Sequence, residues 1–314
     1  MDAMTDQRPD DPTRATSVAA PGAAEDTRAW RRHAGFVAWP TLLMAGAVLA
    51  AWIGVAALAW TGALGLGAAF GLQVVLAYLS FTPLHEASHG NIAGRAKRLK
   101  GAERFVGWLS GVPLLAPFPA FRKLHLDHHG HTNDHERDPD FWVAGDSRWS
   151  VILRCLTILP HYYWRIVVGA LRSPSTRDSA SILALLAYAG LAASFAVAGR
   201  GAWVVAVWVG PALLAAALLA FAFDWLPHHP HSERSRYRNS RILLFPGLEV
   251  LLASQNLHLI HHLYPRIPFY RYGPFFREVR STLESKGAPI VELGASGEKG
   301  AGRDPGPAPV KRRR

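Results

Sequence analysis

The chain has 314 residues, half of them hydrophobic and 18% charged, with a formal net charge of +11. The charged share is below the ~25% usual for soluble domains, and the apolar residues come in long blocks, which argues against both a soluble globule and a disordered chain. The lone Cys155 excludes an internal disulfide and a cysteine-based metal cage.

Residues 1–35 read as a disordered cytoplasmic tail, rich in Asp, Thr, Ala, Pro and Arg. Met1–Arg28 has neither the basic opening nor the apolar core of a signal peptide. From Ala34 to Leu84 no Asp, Glu, Lys or Arg occurs in 51 positions. A membrane helix needs about 20 apolar residues. The block therefore predicts two helices, at roughly 39–60 and 63–84, divided at Thr61-Gly62. A second neutral block, Ser179–Phe223, is broken only by Arg200 and predicts helices at roughly 181–198 and 202–223. Two shorter apolar stretches, Phe105–Phe121 and Ile242–Ala253, are interrupted by Gly or Pro and read as interfacial or re-entrant. Gly294–Arg314 is Gly/Pro-rich and ends in a basic cluster, a disordered tail that begins near residue 291.

These elements give an all-α integral membrane protein with four transmembrane helices arranged as two hairpins. Of 34 Lys and Arg residues, 33 fall in the N-terminal tail, in 85–180 or in 224–314. The positive-inside rule puts these regions and both termini on the cytoplasmic side of an inner membrane. It also accounts for the basic charge without nucleic acid.

Three histidine groups lie close to the predicted span ends: His85-Glu-Ala-Ser-His89, His125-Leu-Asp-His128-His129 and His258-Leu-Ile-His261-His262. On a helix, i, i+3 and i+4 share one face, so each group offers two or three imidazoles together. Asp224-Trp-Leu-Pro-His228 repeats the i, i+4 spacing after the last span, with Pro227 a possible interruption. The groups supply eight imidazoles and His228 a ninth, too many for one ion and suited to two. Imidazole suits zinc, iron, copper or nickel. A polar metal site beside hydrocarbon implies an apolar substrate whose handles are C–H bonds, and breaking those needs activated oxygen, which favours iron. One rival of another class remains. His85-Glu86-Ala87-Ser88-His89 is also the H-E-x-x-H pattern of a membrane zinc protease, with Glu86 as the general base.

At these residues the chain resembles the membrane fatty acid desaturase superfamily of histidine-box di-iron enzymes, over roughly 36–290. Phe223-Asp-Trp-Leu-Pro-His228, Asn133…Asp138-Pro-Asp140 and Gln255-Asn-Leu-His-Leu-Ile-His-His-Leu-Tyr-Pro-Arg-Ile-Pro-Phe-Tyr-Arg-Tyr272 are most similar to cyanobacterial-type β-carotene hydroxylases. The resemblance implies a cytoplasmic helical cap over two hairpins, holding two irons that use O2. The implied ligands are His85, His89, His125, His128, His129, His228, His258, His261 and His262. Asp224, Glu86 and Asn256 are candidates to hydrogen-bond a ligand or hold a water on a metal. His131, His135 and His229 fall outside the pattern and read as exposed loop residues. The implied reaction is hydroxylation of β-carotene rings to β-cryptoxanthin and zeaxanthin, with fatty acid desaturation as the alternative. The third histidine box begins with His258 where front-end acyl desaturases carry Gln, and neither tail has the His-Pro-Gly-Gly of a fused haem domain. A separate electron donor such as ferredoxin is therefore expected. Arg122, Lys123, Arg234, Arg236, Arg238 and Arg241 are candidates to meet an acidic partner or lipid headgroups.

Overall fold

The computed structural model describes residues 23–172 and 175–292, and is built almost wholly of helices. Helix α1 (Ala23–His33) packs on the C-terminal helix α14 (Tyr272–Ser285). Part of the expected disordered tail is therefore ordered. Ala29 and Ala34 enter the core formed by α14, while Arg32 and His33 both reach Glu278. The rest of that tail, and the basic C-terminal cluster, lie outside the described residues. Ile290–Glu292, at the edge of the expected C-terminal tail, forms strand β2, paired in parallel with β1 (Ile242–Leu244).

Helix α2 (Trp39–Trp60) occupies the first apolar segment. Pro40 sits at its start, where a missing N–H costs nothing, and Gly62 takes a left-handed φ of 77° just beyond its end. Helix α3 (Leu66–His89) runs five residues past the apolar block and stops at Gly90, again at φ 77°. The first histidine box is thus the last turn of a membrane-type helix rather than a loop after it.

The stretch Phe105–Phe121 is split between α4 (Lys100–Gly111) and α5 (Phe118–His131). A Cβ at Gly107 would sit 2.6 Å from the Phe118 ring, so this glycine allows the two helices to close together. Helices α6 (Arg148–Leu156) and α7 (Ile158–Arg172) follow, bent by 58°. Ile242–Ala253 becomes strand β1 and the short α12 (Leu248–Leu251), with Phe245, Val250 and Leu251 exposed.

Among the described residues, three helical runs are long and apolar enough to cross a membrane: Trp39–Trp60, Leu66–His89 and Thr176–His228. The third run is not straight. Gly199 has φ 75°, and the rings of Tyr188 and Trp208 lie 5.8 Å apart. Twenty residues of continuous helix would separate them by about 30 Å. The run therefore doubles back into two arms, α8 (Thr176–Phe195) and a return arm of α9 (Gly201–Val204), α10 (Gly210–Leu219) and α11 (Leu226–His228). The pieces of the return arm are joined by π-helical turns at Val205–Val209 and Ala220–Trp225. Leu43 on α2 and Leu183 on α8 are about 70% exposed, as expected of surfaces that meet lipid.

Candidate metal centre

Four elements converge at one end of the hairpins: the last turn of α3, helix α5, α11, and α13 (His258–Leu263). They bring all nine candidate imidazoles into one cluster. The ligand atoms of His85, His89, His125 and His261 lie within 4.8 Å of one another, as do those of His128, His228, His258 and His262. His129 Nε2 lies 2.7 Å from His261 Nε2 and 3.2 Å from His125 Nε2, which places it with the first group. The result is a set of five imidazoles beside a set of four.

The donor chemistry fits two metal ions. His85 and His261, His89 and His125, and His128 and His262 face each other through Nε2 atoms at 3.1, 2.8 and 3.2 Å. Nitrogens bound to one ion at about 2.0–2.1 Å stand about 3 Å apart. His228 carries the clearest sign. Its Nδ1 donates to the Asn239 carbonyl at 2.8 Å, while its Nε2 is buried without a partner. Other outer nitrogens are similarly engaged: His128 with Asp138 at 2.8 Å, His261 with the Tyr272 hydroxyl at 3.0 Å, and His258 with Gln255 at 3.2 Å. Such partners fix the tautomer and aim the inner lone pair.

Charge favours the same reading. Burial, then neighbouring imidazoles, holds His125, His129, His261 and His262 well below the usual range, so they stay neutral and able to ligate. His128 differs. Burial opposes its charge, but Asp138 and Asp140 outweigh that and push it up to about 9.

The remaining sequence candidates sit less centrally. Glu86 is fully buried rather than solvent-facing, and its Oε1 lies 3.8 Å from His85 Nδ1, on the side of the ring away from the converging nitrogens. That placement does not suit a protease base acting on a metal-bound water. Asn256 donates to the Leu243 carbonyl at 2.9 Å and so anchors β1; its neighbour Gln255 is the residue that meets an imidazole. Asp224 emerges from the Ala220–Trp225 π-turn, 3.4 Å from the Tyr162 hydroxyl, which also bonds Asp140 at 2.7 Å. Tyr162 and Tyr272 reach the site from other helices, which the spacing of the boxes does not report, whereas Gln255 acts locally, three residues before His258.

A narrow apolar slot ends at the cluster. Leu84, Leu114, Phe121, Ile158, Leu219 and Phe223 line its walls, and His85, His125, His128 and His258 close its inner end with Asp140, Asp224 and Tyr162. Its volume is about 100 Å³, small beside the ~300–1,000 Å³ of typical ligand pockets.

The sequence model of the fatty acid desaturase family matches residues 65–294. A β-carotene ketolase from a Paracoccus species is 28% identical over 249 residues, covering 74% of this chain and 90% of its own length. A zeaxanthin 4-ketolase from Chlamydomonas reinhardtii is 27% identical over 75% of this chain and 47% of its own length. An sn-1 oleoyl-lipid 12-desaturase from Anabaena variabilis is 25% identical, covering 59% of this chain and 60% of its own length. The chain spans less than two thirds of the last two relatives.

Proposed function

This chain belongs to the fatty acid desaturase family of oxidoreductases, and we propose that it is a membrane di-iron oxygenase acting on the end ring of a carotenoid. The first reaction is ring hydroxylation of β-carotene, to β-cryptoxanthin and zeaxanthin. The observation that carries this reading is the apolar slot ending on nine clustered imidazoles. Two irons held by those residues would supply the reductive activation of O2 that an unactivated C–H bond requires. The slot walls exclude water and hold one ring edge toward His85, His125, His128 and His258. The ketolase relatives fit the same chemistry, since a ketone follows from repeated oxidation at one ring carbon.

The four helical arms are proposed as four spans, with α4–α7 and residues 229–292 on the cytoplasmic side together with 33 of the 34 cations. Electrons are supplied by a separate carrier. A second reading, acyl-chain desaturation, draws support from the 12-desaturase relative and from a slot narrow enough for an acyl chain.

Expression in a β-carotene-producing bacterium, followed by pigment chromatography, tests the proposal. Ring alcohols or ketones are expected. An unchanged pigment profile with new unsaturated fatty acids would transfer the assignment to desaturation.

A further inference from the structure

The oxygenase reading requires electrons from outside, and the cluster is buried. One side of it offers a continuous path to solvent. The exposed ring of His135 lies 5.2 Å from Phe141, Phe141 lies 5.8 Å from His231, and His231 lies 6.3 Å from His228, a proposed ligand. The exposed His229 joins at His231 from a second direction, at 6.5 Å. His231 is only 6% exposed, its Nε2 has no partner, and its backbone sits at φ 63°, a region non-glycine residues rarely adopt. Nothing in the metal set uses this ring.

The surface above the path is built from two loops held together. Asn133 Nδ2 donates to the carbonyls of Glu233 and Asn239, and Arg234 pairs with Asp134. The outer loop, residues 229–241, carries Arg234, Arg236, Arg238 and Arg241 against the single Glu233. Arg236 has no ion pair among the described residues.

We propose that an acidic one-electron carrier protein docks on loop 229–241, and that electrons pass inward along His135, Phe141 and His231 to the His228 side of the metal centre. This rests on the oxygenase reading and adds where its reductant binds. Each docking oxidises one reduced carrier by one electron, so two dockings supply the two electrons of one turnover. Tunnelling falls steeply with distance and is favoured through packed atoms, and the interleaved rings leave no gap between surface and ligand. The cations at Arg122 and Lys123 are less available to a partner, because Arg122 donates to the Ser88 carbonyl and Lys123 is paired with Asp178.

The test uses the full chain, loaded with iron in nanodiscs, and a plant-type [2Fe–2S] ferredoxin as the probe. Arg236→Glu with Arg238→Glu should weaken ferredoxin binding about tenfold or more and flatten its salt dependence. Arg122→Glu should not. Phe141→Ala and His231→Ala should leave the binding constant unchanged but slow reoxidation of pre-reduced ferredoxin about tenfold, while His231→Phe, which keeps a ring, retains the rate. Reduction by dithionite should be the same in all of these proteins, showing that the metal centre is intact. Binding that survives charge reversal on the loop but fails with Arg122→Glu would overturn the docking surface. Unchanged reoxidation in His231→Ala would overturn the path. If the wild type, reduced with dithionite, freed of excess reductant and then given substrate and O2, makes no oxygenated product, the oxygenase reading fails, and the binding and reoxidation rates still decide the surface.

Discussion

His128 and Asp138 form a buried pair, with Nδ1 2.8 Å from Oδ1, while the other nitrogen of His128 faces His262 at 3.2 Å. Asp138 also accepts from the backbone of Asn133 and Asp140, so its own position is fixed from three sides. Replacing Asp138 with Asn keeps the shape but removes the charge that orients and strengthens the imidazole. Metal affinity should fall about 10- to 100-fold, read by competition with a chelator. Unchanged affinity would show that Asp138 serves only the loop.

Metal loading should be near two irons per chain after anaerobic, iron-replete purification. Each buried, unpartnered polar nitrogen costs about 1–3 kcal/mol, so the loaded protein should melt well above the chelated one. Replacing any one of the nine imidazoles with Ala should remove most activity. His161→Ala should retain it, since that ring stacks on Trp142 outside the cluster. Stoichiometric zinc without iron-dependent turnover would refute the oxygenase assignment.

Docking of α1 provides a pH-dependent reading. Glu278 accepts from Arg32 at 2.6 Å and meets His33 at 2.7 Å, and these bonds hold its carboxyl below the ordinary 4.5. A depressed carboxylate contributes stability that is present above pH 4.5 and is lost as pH falls through the folded value. Protection of the 23–33 amides, measured against the intrinsic exchange rate at each pH, should therefore fall at low pH, and Glu278→Gln should show low protection already at pH 7. Equal protection in both proteins would mean that the apolar contacts of Ala29 and Ala34 suffice.

Reporter fusions test the four-span arrangement. Fusions at residues 20, 140 and 300 should report the cytoplasm, and one at Arg200, the single cation between the second pair of arms, should report the opposite side. A periplasmic signal at 140 would separate the first two histidine boxes from the third and break the proposed site.

The apolar blocks and the histidine spacing were legible because both follow local periodicities. Trp39–Trp60 appears where an uncharged segment must be helical in lipid, and the eight imidazoles of the three boxes follow i, i+3 and i+4 spacing on α3, α5 and α13. Most of what lay hidden depends on contacts between distant segments. Helix α3 continues through His89 although its hydrophobicity stops at Leu84, since α5 and α13 pack around its last turn. The packing of α1 on α14 joins Arg32 to Glu278, 246 residues later. Gln255, not Asn256, meets His258 because the 3₁₀ turn Gln255–Leu257 rotates one amide inward and the other toward β1. The spacing of the boxes is silent on that choice.

The slot gives the most direct test of substrate. Ala120, Ala216 and Ala220 line it, and their small side chains leave the space that a ring edge would occupy beneath Phe121 and Phe223. Overfilling such a site costs typically ~1–3 kcal/mol locally, and a blocked slot removes a near-attack geometry worth far more. Ala216→Phe, on a residue outside the ligand set, should keep the metal content and lose at least about tenfold in carotenoid oxygenation, roughly 1.4 kcal/mol in kcat/KM. Ala220→Ser, close in volume, serves as the control and should remain near wild type. If Ala216→Phe leaves carotenoid products unchanged, the ring reaches the imidazoles by another route. If wild-type cells form unsaturated acyl chains and this variant does not, the same slot belongs to an acyl substrate.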